Sequence, residues 1–231
     1  MNPAPGPRSP AARTERDATL FGAVLAGGQS RRMGRDKALL SVGGSTLLEH
    51  ALAQLAPLVS RLFVGTGAEV RYAEQLAAFD ATAVLDRPTY GAGAGPLAGL
   101  EAILSAAAAA GAKRVLLLAC DLPHVKTGHL ETLLAASRGA DVTIGCDAGG
   151  DQPLVGVYDL GCLPAVQRAL ARGERRADSF FASTGPEQHS LRVRRVDADV
   201  LAPGASTSLF HNLNGPEDVA GGPLPLAALL R

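Results

Sequence analysis

Residues 24 to 40 read V-L-A-G-G-Q-S-R-R-M-G-R-D-K-A-L-L, a hydrophobic run that opens into paired glycines, adjacent arginines and a lysine. Gly27 and Gly28 carry no β-carbon, so the backbone can curl around an anion and present its N–H groups, while Arg31, Arg32 and Lys37 bring positive charge. That combination suits the polyphosphate of a nucleotide. Two familiar phosphate loops are excluded by spacing. A Walker A loop has four residues between its glycines and then Lys and Ser/Thr; here five separate Gly28 from Gly34, and Arg35-Asp36-Lys37 follows. The only approach to a dinucleotide fingerprint, Gly91-Ala92-Gly93-Ala94-Gly95-Pro96, has proline where the last glycine belongs.

Asp121 is the second residue with chemical promise. It ends the run Val115-Leu116-Leu117-Leu118-Ala119-Cys120, so its carboxylate emerges where a buried strand meets a cleft. Mg²⁺ takes few protein carboxylates when phosphate oxygens and water complete its shell, so one Asp suffices beside a polyphosphate. The same residue can instead serve as a turn residue or helix cap, with Pro123 just inside the helix. Asp86 opens Asp86-Arg87-Pro88 ahead of a glycine-rich stretch, where it can initiate a turn in a surface loop. His50 lies on a helical pattern, and His124, His129, His189 and His211 are dispersed without ligand spacing. The nucleophile-elbow pattern Gly-x-Ser-x-Gly is absent, so covalent catalysis has no support.

These residues need strands to hold them. From residue 21 short apolar runs alternate with longer helical patterns, as in strand–helix units around a mainly parallel sheet. The expected strands are 21–26, 61–65, 82–85, 114–119, 141–146, 152–158 and 191–196. The expected helices are 45–57, 69–78, 96–110, 126–137, 160–172, 175–183 and 216–229, with Thr46 and Pro96 as starts. The fold class is α/β: a three-layer, Rossmann-like arrangement with helices on both faces of the sheet. In such sheets ligands bind beyond the carboxyl ends of the strands. The glycine loop, Asp86 and Asp121 all follow expected strands.

At 231 residues one domain is sufficient, over residues 20–231, preceded by a Pro-rich tail at 1–19 expected to be disordered and too polar for a signal peptide. Lys plus Arg and Asp plus Glu number 22 each, which leaves no basic field for a nucleic acid backbone. No run of about 18 strongly apolar residues suggests a membrane span. Cys120, Cys146 and Cys162 lie far apart without C-x-x-C spacing, as in a reduced, cytoplasmic protein.

Residues 25 to 37 resemble the opening signature of the molybdenum cofactor guanylyltransferases, L-A-G-G-x-S-x-R-M-G-x-D-K, at every specified position. Cys120-Asp121-Leu122-Pro123 resembles the family's C-D-x-P, Gly95-Pro96-Leu97-Ala98-Gly99 its G-P-L-A-G, and Asn212-Leu213-Asn214-Gly215-Pro216-Glu217-Asp218 its N-x-N-x-P-E-[DE]. The resemblance runs from residue 21 to about 220. It implies a nucleotidyltransferase that transfers GMP from GTP to molybdenum-molybdopterin, yielding molybdopterin guanine dinucleotide and pyrophosphate. It further implies an N-terminal half that binds GTP and a C-terminal half that binds the pterin.

By this resemblance GTP is held by Leu25, Ala26, Gly27, Gly28, Lys37, Gly65, Asp86, Gly95, Pro96, Leu97 and Asp121. Lys37, Arg31 and Asp121 are the catalytic set, and Asp121 binds Mg²⁺. The loop carrying Gly95 holds guanine, whose N1 and N2 donors want a carboxylate or carbonyl partner. The stretch from Asp86 to Gly95 is longer than in the family pattern, and Gly65 stands where relatives often have asparagine. The resemblance places the pterin near Gln152, Arg175, Arg176, Asn212 and Asn214. Either arginine can fork onto its terminal phosphate or remain solvated, and Asn214 can assist at the metal or cap the last helix. Candidate protein partners are molybdoenzymes and other cofactor-biosynthesis proteins. The alternatives are a molybdopterin cytidylyltransferase of the same fold, which commonly reads L-A-A-G at the first loop, a sugar-phosphate nucleotidyltransferase, or a non-catalytic nucleotide-binding cofactor-delivery protein.

Overall fold

The strand Leu20–Leu25 (β1) has no polar side chain, and its first five residues are buried. A strand apolar on both faces must lie between two layers. Its alternation divides it between two cores, Leu20 and Val24 facing one and Phe21 and Ala23 the other. Strand Arg114–Ala119 (β6) repeats the division, with Leu116 and Leu118 on the first side and Val115 and Leu117 on the second. Helices Leu47–Leu55 (α1) and Thr127–Ala136 (α4) cover the first face through Leu48, Leu52, Leu130 and Leu133. Helices Gly95–Ala109 (α3) and Leu163–Ala171 (α5) cover the second through Leu100, Ile103, Leu104, Val166 and Leu170. The result is the expected three-layer α/β architecture.

This computed structural model describes residues 17–26, 36–91, 95–181, 190–204 and 209–213. Its central sheet has seven strands in the order Ala81–Leu85 (β5), Leu62–Gly67 (β4), β1, β6, Gly150–Asp159 (β8), Val142–Asp147 (β7) and Val193–Asp197 (β9). All neighbouring pairs are parallel except the two made by β8. A short hairpin, Ser41–Val42 (β2) with Ser45–Thr46 (β3), and helices Ala73–Phe79 (α2) and Ala198–Leu201 (α6) complete the described elements.

Two features of this topology position the site. Leu25 of β1 pairs with Gly65 of β4 and Ala119 of β6, so these strands finish at one level and their following loops emerge together. β8 runs antiparallel to β6, with Val155 opposite Leu118. An antiparallel strand enters where its neighbours leave, so Asp151, Gln152 and Pro153 stand at the same edge of the sheet as Asp121.

Helix α1 starts where expected. Thr46 Oγ1 accepts from the Glu49 amide at 3.2 Å, and Glu49 Oε2 accepts from the Thr46 amide at 2.7 Å, a reciprocal capping box. Thr46 also closes the hairpin, which takes Ser45 and Thr46 out of the helix expected from residue 45. The helix expected over 175–183 does not form over 175–181. Ala177, Phe180 and Phe181 have helical spacing, yet the segment is a chain of tight turns. Ser179 N–H donates to Arg176 O, Phe181 N–H donates to Asp178 O, and Arg175 O is turned outward to α3. The period recorded which side chains face the core, and turns satisfy it as well as a helix does.

The helix expected over 216–229 lies outside the described residues, as does the expected tail up to residue 16. Asp17 and Thr19 are tied to the start of β6, through an Arg114–Asp17 ion pair at 3.1 Å and a 2.8 Å bond from Lys113 N–H to Thr19 O. No described helix is long and apolar enough to cross a membrane.

Candidate active site

Lys37 opens a 3₁₀ turn, Lys37–Leu39, capped by Asp36, whose Oδ1 accepts from Ala38 N–H at 3.1 Å. Its ammonium lies 2.8 Å from Asp121 Oδ2, joining residues 84 apart in the chain. The side chains are 17% and 25% exposed, enclosed yet open to a ligand. Asp121 caps no helix, because α4 begins only at Thr127 with Lys126 as its cap residue. Its structural contact is through the carbonyl, which accepts from Leu213 N–H at 3.1 Å, and Leu213 packs with Val42 and Leu47. The backbone of position 121 therefore serves the fold while its carboxylate faces Lys37. Burial and then the Asp121 charge push the neighbouring Cys120 thiol up to about 12, so it stays protonated and is no nucleophile.

On the β4 side the walls are close-packed. Leu25 sits between Gly65 and Gly99; a β-carbon would come within 2.8 Å of Leu25 Cδ2 at the first and 3.0 Å at the second. Ala26 is buried and donates its N–H to Gly65 O at 2.9 Å. Asp86 follows β5, its N–H held by Gly67 O at 2.8 Å, and burial raises its carboxyl above the ordinary range. Its Oδ1 lies toward Gly99 in the first turns of α3. The adjacent Arg87 reaches Glu101, which is fully buried on α3. Glu101 Oε1 accepts from Arg87 at 3.1 Å, Ser105 at 2.9 Å and Gln167 at 2.9 Å, while Oε2 has no hydrogen-bond partner.

The start of α3 joins the two halves of the site. Gly95 has φ of +77°, and a β-carbon there would lie 2.7 Å from Arg175 O. The same carbonyl accepts from Leu97 N–H at 3.2 Å, satisfying one of the helix's free N-terminal donors. Leu97 itself is wholly buried and its N–H is taken by Arg175 O, so the structure does not present it to a ligand.

Beyond Asp121 opens a cleft of about 270 Å³, lined among others by Pro96, Asp121, Gln152, Arg176, Asp178 and Asn212. Of the residues expected near a pterin, Gln152, Arg176 and Asn212 meet there. Arg175 does not line the cleft; its guanidinium turns back to Glu174 O at 2.9 Å. Arg176 forks onto Asp178 at 3.0 and 2.9 Å, and Asp151 at the cleft wall takes Arg195 at 2.8 Å. Asp151 and Asp178 were not among the expected site residues. Only the Arg-x-Asp spacing of 176 and 178 hinted at one of these pairs. Gly27, Gly28, Arg31 and Asn214 lie outside the described residues. Among the described residues no three His, Cys, Asp or Glu side chains cluster for a metal ion.

Comparison with known proteins agrees with this fold. The profile of the MobA-like NTP transferase domain matches residues 22–191. A "Probable molybdenum cofactor guanylyltransferase" of Opitutus terrae is 39% identical over 204 residues, covering 86% of this chain and 92% of the relative. The crystal structure of molybdopterin-guanine dinucleotide biosynthesis protein A from Archaeoglobus fulgidus superimposes with a TM-score of 0.67 at 25% identity, covering 87% of this chain and 95% of that one. A 4-diphosphocytidyl-2C-methyl-D-erythritol synthase from Anaerococcus prevotii shares the fold, with a TM-score of 0.64 at 14% identity, covering 92% and 96% of the two chains. The chain belongs to the MobA-like nucleotidyltransferases, in the family of the molybdenum cofactor guanylyltransferases.

Proposed function

We propose that this chain transfers GMP from GTP to molybdenum-molybdopterin, with Lys37 and Asp121 at the centre of the transfer and the cleft beyond Asp121 receiving the pterin. The observation supporting the reading is the 2.8 Å pair between Lys37 and Asp121, where β1 and β6 finish level. Ammonium and carboxylate balance each other there; in the reading, Lys37 turns to a phosphate oxygen when the polyphosphate arrives. Guanine lies toward Asp86 and the start of α3, where a half-buried carboxylate can accept from N1–H and N2–H. The N-terminal half of the single domain thus serves GTP and the C-terminal half the acceptor.

The acceptor's phosphate is already anionic, so it needs no general base. One of its oxygens forms a bond to the α-phosphorus of GTP, the bond from that phosphorus to the bridging oxygen breaks, and pyrophosphate leaves with the electron pair. The difficulty is repulsion between anions, which Lys37 offsets while the cleft walls hold the reactants in line. A lone carboxylate beside a lysine suits Mg²⁺ brought in with the polyphosphate, which supplies the ion's other ligands. Asp121 would hold that ion, and when bound it would neutralise charge on the phosphates and on the departing pyrophosphate. Arg176, Gln152 and Asn212 would meet the pterin, with Arg176 exchanging Asp178 for its phosphate.

The thiols Cys120, Cys146 and Cys162 are free, as suits a cytoplasmic enzyme that hands its product to molybdoenzymes or other cofactor-biosynthesis proteins. The experiment is pyrophosphate release from each of the four nucleoside triphosphates with Mg²⁺ and loaded molybdopterin. GTP is expected to be used preferentially; equal or better use of CTP would overturn the reading, and GTP binding without pyrophosphate release would replace the enzyme with a binding protein.

A further inference from the structure

Tyr72 stands between the two points where the chain leaves β1 and returns at Lys37. Its hydroxyl is 3.0 Å from Ala26 O and 2.9 Å from Asp36 Oδ2. A phenol has one proton, so that proton is shared between a carbonyl and a carboxylate that would otherwise face each other with like partial charge. Arg71 completes the group. Its guanidinium pairs with Asp36 Oδ2 at 3.0 Å, donates twice to Thr66 O at the end of β4, and lies 5.2 Å from the centre of the Tyr72 ring. Arg71 thereby also neutralises an anion that would stand next to the polyphosphate.

The backbone shows that this arrangement is enforced. Tyr72 has φ of +66° and ψ of +38°, a left-handed conformation that strains a bulky residue. The side chain is nevertheless buried and its hydroxyl aimed at Ala26 and Asp36. Burial, followed by the Asp36 carboxylate, raises the phenol well above its ordinary range and keeps it a donor.

We propose that Tyr72 and Arg71 are positioning residues for the transfer: acting through Asp36 and Ala26, they fix where Lys37 enters the site and hold its ammonium against the polyphosphate position. The inference rests on the reading of Lys37 given above. Tyr72→Phe keeps the ring and removes only the shared proton. It is expected to lower kcat/KM for GTP about tenfold, the size of a lost hydrogen bond to a charged group, with KM for molybdopterin unchanged.

The deciding measurement is the same substitution made in Lys37→Ala. If Tyr72 acts by placing Lys37, Tyr72→Phe has no further effect once the ammonium is gone, so the two losses do not multiply. A full tenfold loss in the Lys37→Ala background, or unchanged kcat/KM in the wild-type background, overturns the inference. A loss that merely follows a fall in Tm does the same. If Lys37→Ala itself leaves turnover intact, the reading of Lys37 fails first and the inference falls with it; an impaired Lys37→Ala beside a fully active Tyr72→Phe removes the inference alone. Should Tyr72→Phe not fold, Arg71→Gln at the rim of the same group is expected to show the same non-multiplying pattern with a loss of about threefold. Multiplying losses from Arg71→Gln and Lys37→Ala would count against it equally.

Discussion

The half of the cleft assigned above to the nucleotide and the half assigned to the acceptor hold their polar groups in different ways. On the nucleotide side Asp36 is clasped by Tyr72 and Arg71, and Glu101 gathers Arg87, Ser105 and Gln167 without any exposure. On the acceptor side neither carboxylate of the pairs Arg176–Asp178 and Arg195–Asp151 is fully enclosed: Asp178 and Asp151 are 26% and 24% exposed, and the Arg176 side chain is 82% exposed. Glu101, by contrast, is wholly buried although its partner Arg87 reaches solvent. A wholly buried carboxylate such as Glu101 leaves its partners badly unsatisfied when it is removed, whereas pairs open to solvent are screened and contribute little. In the proposed reading, the network around Glu101 is set before the nucleotide arrives. In the same reading, the exposed Arg176 at the cleft remains available for exchange onto a phosphate.

Substitutions should separate the halves in order of effect. Asp121→Asn is expected to cost at least about 10³-fold in kcat, since a charge at the reacting centre is lost. Its Tm should be preserved, because the fold uses the position-121 carbonyl; a variant that unfolds would make the carboxylate structural. Lys37→Ala should follow at roughly 10²-fold in kcat/KM, and normal turnover would remove it from the mechanism. Glu101→Ala should cost about 3 kcal/mol in a urea titration, by leaving Arg87, Ser105 and Gln167 without their acceptor. It should also raise KM for GTP more than KM for the pterin. A loss no larger than that of Asp151→Asn at the exposed pair would erase the contrast.

Asp86 provides a test by pH. Burial raises its carboxyl, so folding favours the neutral form. Its stabilising contribution is present below the ordinary carboxylate pKa and is lost as pH rises through the raised one. In the proposed reading guanine binds to the ionised form. Acidification should therefore stabilise the fold while weakening GTP, and Asp86→Asn should be more stable at neutral pH and lose the acid limb of kcat/KM for GTP. An unchanged limb would assign it to another group. The smallest effect belongs to Arg176→Ala: KM for molybdopterin several-fold higher, with GTP affinity and Tm unaltered. Equal effects on both substrates would break the division of labour.

Legibility in the sequence follows the range of the interactions. β1, β6 and the helices α1, α3 and α4 could be read from local periodicity, and Thr46 from a capping box completed within three residues. The helix expected at 175–183 failed because apolar spacing is shared by turns that bury the same side chains. Asp36 was visible only as part of a motif; its partners Arg71 and Tyr72 lie on a later loop with no pattern linking them to it. Glu101 is the one charged residue on an otherwise mostly apolar helix, a feature the sequence analysis did not single out, and its network needed α5 to supply Gln167.

The sequence by itself determined the chemical parts, a basic glycine-rich turn after one strand and a carboxylate after another, because strand, turn and motif are properties of neighbouring residues. Only the tertiary structure decided that Lys37 meets Asp121 at 2.8 Å, that Tyr72 ties Ala26 to Asp36, and that Arg175 completes the start of α3. Those contacts join segments far apart in the chain, and they exist because the register of β1 with β6 and the reversed direction of β8 deliver their loops to one edge of the sheet.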